Sequence, residues 1–130
     1  MVPSRQEERD DAPLILLVDD YEDTRFLFGA VMTSSGLRVL EAETGGRAIE
    51  LLDSEAPDIV VTDLALPDMD GCELIRRIKA NERTKSIPVI VLSAHSAHVK
   101  KREALEAGCS LYVSKMHSPH YLVEQMRKLL

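Results

Sequence analysis

The chain has 130 residues, a formal net charge of −6 and no tryptophan. That suits one domain with a single core and argues against direct nucleic-acid binding, either by charge or by stacking on bases. No apolar run is long enough to span a membrane, and the N-terminus lacks the apolar core of a signal peptide.

Residues 1–13 are polar, of mixed charge and without periodicity, which predicts a flexible tail before a domain spanning 14–130. Leu14-Ile15-Leu16-Leu17-Val18 is a continuous apolar run and predicts a first buried strand. It runs straight into Asp19-Asp20. Adjacent acids at a strand end are costly unless something positive lies near them. Glu22 and Asp23 suit the first turn of a helix, but Asp19 and Asp20 precede it. The spacing of Leu27, Phe28 and Val31 predicts the apolar face of that helix, and Gly36 its end.

Leu37 to Glu41 alternates apolar and polar, as a half-exposed edge strand does. Thr44 can cap the next helix, with Ala48, Leu51 and Leu52 inward. Gly45-Gly46 falls in its first turn. No Gly-Lys-Ser/Thr follows, so the pair is no phosphate-binding loop. After Pro57, the β-branched run Ile59-Val60-Val61 predicts a central strand that ends on Thr62-Asp63. Open α/β sheets place their ligands at such strand ends. Alone, Asp63 could equally cap the loop.

Pro67, Asp68 and Asp70-Gly71 predict a turn into a helix with Leu74, Ile75 and Ile78 inward. Ile87 to Leu92 is a fourth strand, followed by Ser93-Ala94. These small residues leave room for a ligand. Ser93 can donate a hydrogen bond to that ligand or cap the next helix. A helix over 98–107 would turn Val99, Ala104 and Leu105 inward, leaving Lys100-Lys101-Arg102 as a solvated basic face, and Gly108 ends it. Leu111-Tyr112-Val113 predicts a short fifth strand, with Lys115 just beyond. Ser118 and Pro119 open a last helix that turns Leu122, Val123, Met126, Leu129 and Leu130 inward.

Cys72 and Cys109 match no metal-ligand spacing and read as reduced, buried thiols of a cytoplasmic protein. The pairs His95/His98 and His117/His120 are spaced three apart, but no Glu or Cys completes a site, so they read as solvated.

Strands alternating with helices predict an α/β fold: a doubly wound, five-stranded parallel sheet with right-handed crossovers. The flavodoxin-like order 2-1-3-4-5, common to such sheets, makes strands one, three, four and five contiguous. Asp19, Asp20, Asp63, Ser93 and Lys115 then meet at one edge. Three carboxylates together repel one another and call for a hard cation, Mg²⁺ above all. Asp63 can then act as a nucleophile and form an aspartyl phosphate, with Lys115 and Ser93 stabilising the transferring group.

With these residues in place, the chain resembles the receiver domain of two-component response regulators. The resemblance runs from Leu14 to Leu130. It rests on Asp19-Asp20, Asp63-Leu-Ala-Leu-Pro-Asp-Met-Asp-Gly71, Ser93-Ala94, Glu106-Ala-Gly108, Tyr112 and Lys115. It implies that Asp63 is the phosphoacceptor, charged by a histidine kinase or a histidine phosphotransfer protein. It implies Mg²⁺ bound by Asp20, Asp63 and the backbone carbonyl of Ala65, with Asp19 acting through water. Ser93 and Tyr112 would be the switch pair. A downstream protein would dock on the face formed by the fourth helix, fifth strand and last helix. The resemblance also implies that Ala65 and His95 tune dephosphorylation.

Two other readings share this architecture. A phosphohydrolase with an aspartyl nucleophile usually carries a second acid two residues on, where this chain has Ala65. A nucleotide- or flavin-binding module needs a phosphate-friendly loop after the first strand, where this chain has Asp19, Asp20, Glu22 and Asp23. One departure from the receiver pattern is Met116, where proline usually comes after the lysine. A non-proline cis bond costs about 2.5–4 kcal/mol, so a trans Lys115–Met116 bond is predicted.

Overall fold

The apolar runs become strands. In a computed structural model, which describes residues 11–94 and 98–130, they are β1 (Leu14–Val18), β2 (Arg38–Ala42), β3 (Ile59–Thr62), β4 (Val89–Ser93) and β5 (Leu111–Ser114). Between and after them lie α1 (Glu22–Ser34), α2 (Gly45–Ser54), α3 (Gly71–Ala80), α4 (His98–Ala107) and α5 (Pro119–Leu129). All strand pairs are parallel, in the order β2-β1-β3-β4-β5, as expected for a doubly wound α/β sheet.

The reason for uninterrupted apolar strands is that both faces of the sheet are covered. Successive side chains point to opposite faces. Ile15, Leu17, Ile59, Val61, Ile90 and Leu92 therefore meet Phe28 and Met32 of α1 and Leu122, Val123 and Met126 of α5. Their neighbours Leu16, Val18, Val60, Val89 and Val91 meet Ala48 and Leu52 of α2, Leu74, Ile75 and Ile78 of α3, and Ala104 of α4. Each large side chain so buried stabilises the fold by about 1.5–3 kcal/mol relative to exposure.

The caps agree with the sequence. Thr44 accepts from the Arg47 amide at 3.0 Å, and Ser118 from the Tyr121 amide at 3.2 Å. Gly36 and Gly108, after α1 and α4, take φ of 89° and 118°, which a side chain would resist.

Three apolar assignments differ from expectation. Leu27 is 52 % exposed, because the buried stripe of α1 is Phe28, Gly29 and Met32. Leu105 is 45 % exposed, since it is the neighbouring Ala104 that is fully buried in the core. Leu130 lies past the end of α5 and is 49 % exposed. The fourth strand is also shifted, to Val89–Ser93. Pro88 has no N–H to give to the ladder and contributes only its carbonyl, to the Val60 amide at 3.0 Å. Ala12 and Pro13, assigned by sequence to the tail, accept hydrogen bonds from Arg38 Nε (3.0 Å) and its amide (2.9 Å). His95 lies outside the described residues. The described residues contain no cis peptide bond, so Lys115–Met116 is trans as expected.

Candidate functional site

Parallel register brings the site together. Val18 pairs with Thr62, so the next residues along, Asp19 and Asp63, emerge side by side. Backbone hydrogen bonds extend the ladder past the strand ends: the Asp63 amide donates to the Val18 carbonyl (2.9 Å) and the Asp19 amide to the Ala42 carbonyl (3.0 Å). Ser93 pairs with Ser114 in β5, and the Lys115 amide donates to the Ser93 carbonyl at 2.9 Å. Ser93 is fully buried at the end of β4, one residue from the lysine's level.

Asp19, Asp20 and Asp63 each offer a carboxylate oxygen within 4.8 Å of the others. Asp19 and Asp63 are buried, while Asp20 is exposed. Lys115 Nζ reaches between the two buried acids, 2.7 Å from Asp19 Oδ2 and 2.8 Å from Asp63 Oδ2. The contact with Asp63 is a hydrogen bond. The contact with Asp19 is an ion pair at hydrogen-bonding distance, so the lysine ammonium is the partner of that buried oxygen. The other oxygens are held by backbone. Asp19 Oδ1 accepts from the Tyr21 amide at 2.8 Å. Asp63 Oδ1 accepts from the amides of Leu64 (2.7 Å) and Ala65 (3.4 Å).

The electrostatics match this packing. Burial pushes the Asp19 carboxyl above its ordinary pKa, and the pull of Lys115 and the Tyr21 amide only partly offsets it. Burial also works against the charge on Lys115, but the two carboxylates together outweigh it and raise the lysine's pKa. An oxygen-only donor set of three clustered carboxylates fits a hard divalent cation. Tyr112, on β5, pairs with Val91 and packs against the cluster covered by α2, α3 and α4.

The structure also gives roles to residues that sequence reasoning passed over or read only as turn formers. Arg25 Nη1 donates to the Asp19 carbonyl at 2.7 Å, and its Nε lies 3.4 Å from Glu41 Oε1, bracing the first loop against β2. Gly71 packs α3 against the backbone of Asp63 and Leu64, where a Cβ would strike the Asp63 carbonyl oxygen. Asp68 joins its loop to α2, accepting from the Gly45 and Gly46 amides at 2.9 and 2.8 Å. The unexplained glycine pair was the available signal for this last contact.

Residues 15–127 match the model of the response regulator receiver domain. The chain is 36% identical over 118 residues to the two-component response regulator ORR5 of Oryza sativa subsp. japonica, covering 89% of this chain and 87% of that one. Its fold superposes on a CheY-like response regulator receiver domain protein from Methanospirillum hungatei JF-1. The TM-score is 0.85 at 25% identity, covering 92% and 94% of the two chains. A second solved structure is the receiver domain of a sensor histidine kinase from Pseudomonas aeruginosa PAO1, described with a magnesium ion coordinated in the active site cleft. There the TM-score is 0.84 at 27% identity, over 91% of this chain and 97% of that one.

Proposed function

The chain belongs to the response regulator receiver family, whose members are phosphorylation-dependent signalling switches, and from that membership we propose that Asp63 is its phosphoacceptor. The observation that carries this reading is Lys115 Nζ lying 2.8 Å from Asp63 Oδ2 across 52 residues of sequence, beside the Asp19–Asp20 pair.

The donor is a phosphohistidine on a histidine kinase or a histidine phosphotransfer protein. An Asp63 carboxylate oxygen forms the new bond to phosphorus. The phosphorus–nitrogen bond breaks, and its electron pair returns to the leaving imidazole, which takes up a proton. Preorganised positive charge is the main lever in such transfers, since it acts where charge accumulates without reorganising. Lys115 supplies it here. The Leu64 and Ala65 amides fix the Asp63 carboxylate for attack.

Asp20, Asp63 and the backbone carbonyl of Ala65 would hold Mg²⁺, with Asp19 acting through water, and the cation supplies further neutralisation of the phosphoryl oxygens when bound. The solved kinase receiver described with magnesium supports that choice of cation. Ser93 then hydrogen-bonds the phosphoryl group and Tyr112 moves after it, remodelling the face of α4, β5 and α5 on which a downstream protein docks. The chain acts in the cytoplasm as a signalling module, its chemistry limited to taking up and losing its own phosphoryl group. The folded unit is 14–130.

Incubation with acetyl phosphate tests the chemistry. With Mg²⁺ present, the intact mass should rise by one phosphoryl group, and EDTA should prevent it. Labelling indifferent to EDTA would remove the cation from the account.

A further inference from the structure

The loop from Leu64 to Asp70 leaves the phosphoacceptor and returns to α3. Both of its ends are fixed. The Gly71 amide donates to the Leu64 carbonyl at 2.8 Å, Ala65 bridges to Asp70, and Asp70 Oδ1 caps the Cys72 amide at 2.9 Å. The tip, Pro67-Asp68-Met69, projects away from this base toward α2. There the Asp68 carboxylate uses both oxygens, one on each of the first two amides of α2. These amides begin a helix, so they have no partner within it and carry the positive end of its dipole. They also hold the Asp68 carboxyl below its ordinary pKa.

The glycine pair makes the approach possible. A Cβ on Gly46 would stand 3.2 Å from Asp68 Oδ2, and one on Gly45 would meet the Met69 thioether. Two features far apart in sequence, Gly45-Gly46 and Asp68, are thus one joint. Ala65, whose carbonyl is assigned to the cation, sits at the base of the segment this joint immobilises.

We propose that Asp68 is a positioning residue, holding the 64–70 loop against the first turn of α2 so that the Ala65 carbonyl is preset for the cation. The inference rests on the cation site assigned to Asp19, Asp20, Asp63 and Ala65. It separates Asp68 from the acids that touch the ion.

Calorimetric titration of the full chain with Mg²⁺ tests it. Asp68→Ala should raise the Mg²⁺ Kd about tenfold, the low end of what outer partners of metal ligands contribute. Melting of the metal-free variant should change little, and its rate of phosphorylation by acetyl phosphate at saturating Mg²⁺ should stay at the wild-type level. Asp68→Glu should recover part of the affinity. Gly46→Ala is the sharper variant, since alanine favours helix over glycine yet its methyl pushes on the Asp68 carboxylate. Mg²⁺ binding should weaken while the melting temperature holds or rises. If wild type binds Mg²⁺ and Asp68→Ala binds it equally well, the positioning role is overturned and the cation site stands. A loss of affinity matched by collapse of the metal-free melt would make Asp68 a fold residue only and also overturn it. A wild-type chain that neither binds Mg²⁺ nor takes a phosphoryl group would defeat the site assignment itself.

Discussion

The two loops beside the acidic edge, 64–70 and 115–118, are held in opposite ways. The 64–70 loop is fastened by backbone hydrogen bonds at its base, by Gly71 against the Asp63 backbone, and by Asp68 on α2. The 115–118 loop is a short turn. Beyond Lys115 itself, whose amide donates to the Ser93 carbonyl, its ties are local: the Met116 amide to Ser114 Oγ (3.1 Å), the His117 amide to the Ser114 carbonyl (3.1 Å), and the His117–Tyr121 ring stack at 4.1 Å. Met116 at its crest is 92 % exposed. The contrast reflects the group each loop delivers. A main-chain carbonyl, such as that of Ala65, can be placed only by its backbone. A lysine reaches its partners through a flexible four-carbon stem and tolerates a looser base.

Gly71→Ala should break the fastened loop most severely. The added methyl would fall on the Asp63 carbonyl oxygen and 2.6 Å from Leu64 Cα, both backbone atoms that cannot step aside. A loss of about 3 kcal/mol is expected, the upper part of the range for overpacking, read by urea unfolding. A variant as stable as wild type would show that α3 can slide.

Lys115→Ala tests the other loop through the group it carries. Loss of a preorganised charge at a reacting centre costs about 100-fold in rate or more, to be read as phosphorylation by acetyl phosphate. The buried acids would also lose their cation, so Mg²⁺ should stabilise this variant more than it stabilises wild type. An equal thermal shift in both proteins would mean that the lysine does not compensate the acids.

The pH dependence sharpens the contrast. The folded-state pKa of Lys115 is raised by its carboxylates. Its stabilisation is therefore complete below its unfolded value and is lost as pH rises through the folded one. Cys109 adds to this loss, because burial pushes its thiol up to about 11. Its contribution likewise holds below its unfolded value near 9.0 and fades as pH climbs toward 11. Wild type should thus lose stability above pH 9, and Lys115→Met should lose less of it at the alkaline end. Parallel curves for the two proteins would remove the lysine from the balance.

Met116→Pro should have the smallest effect. Proline can occupy the trans bond present here, and it removes only the amide that bonds Ser114 Oγ, worth about 1 kcal/mol. The rate of phosphorylation should hold, whereas a large loss would show the turn to be more tightly specified than its contacts suggest.

The difference between the loops also marks how far the sequence was legible. The strands were readable because burial on both faces demands unbroken apolar runs, as in Leu14–Val18 and Ile59–Val61. Asp19, Asp63 and Lys115 were readable because parallel register carries strand ends to one edge. Periodicity gave the helices but not always their phase, so Leu27 and Leu105 came out exposed. Asp68 was not readable as a joint. Its partners are backbone amides 22 and 23 residues away, and any residue except proline carries an amide.

The most direct test is to map the phosphoryl group. After reaction with acetyl phosphate and Mg²⁺, peptide mass spectrometry of wild type should place a single group on Asp63. Asp63→Asn, whose amide keeps the shape but not the nucleophile, should fold normally and carry none. Label on another residue in wild type, or undiminished label in Asp63→Asn, would contradict the account.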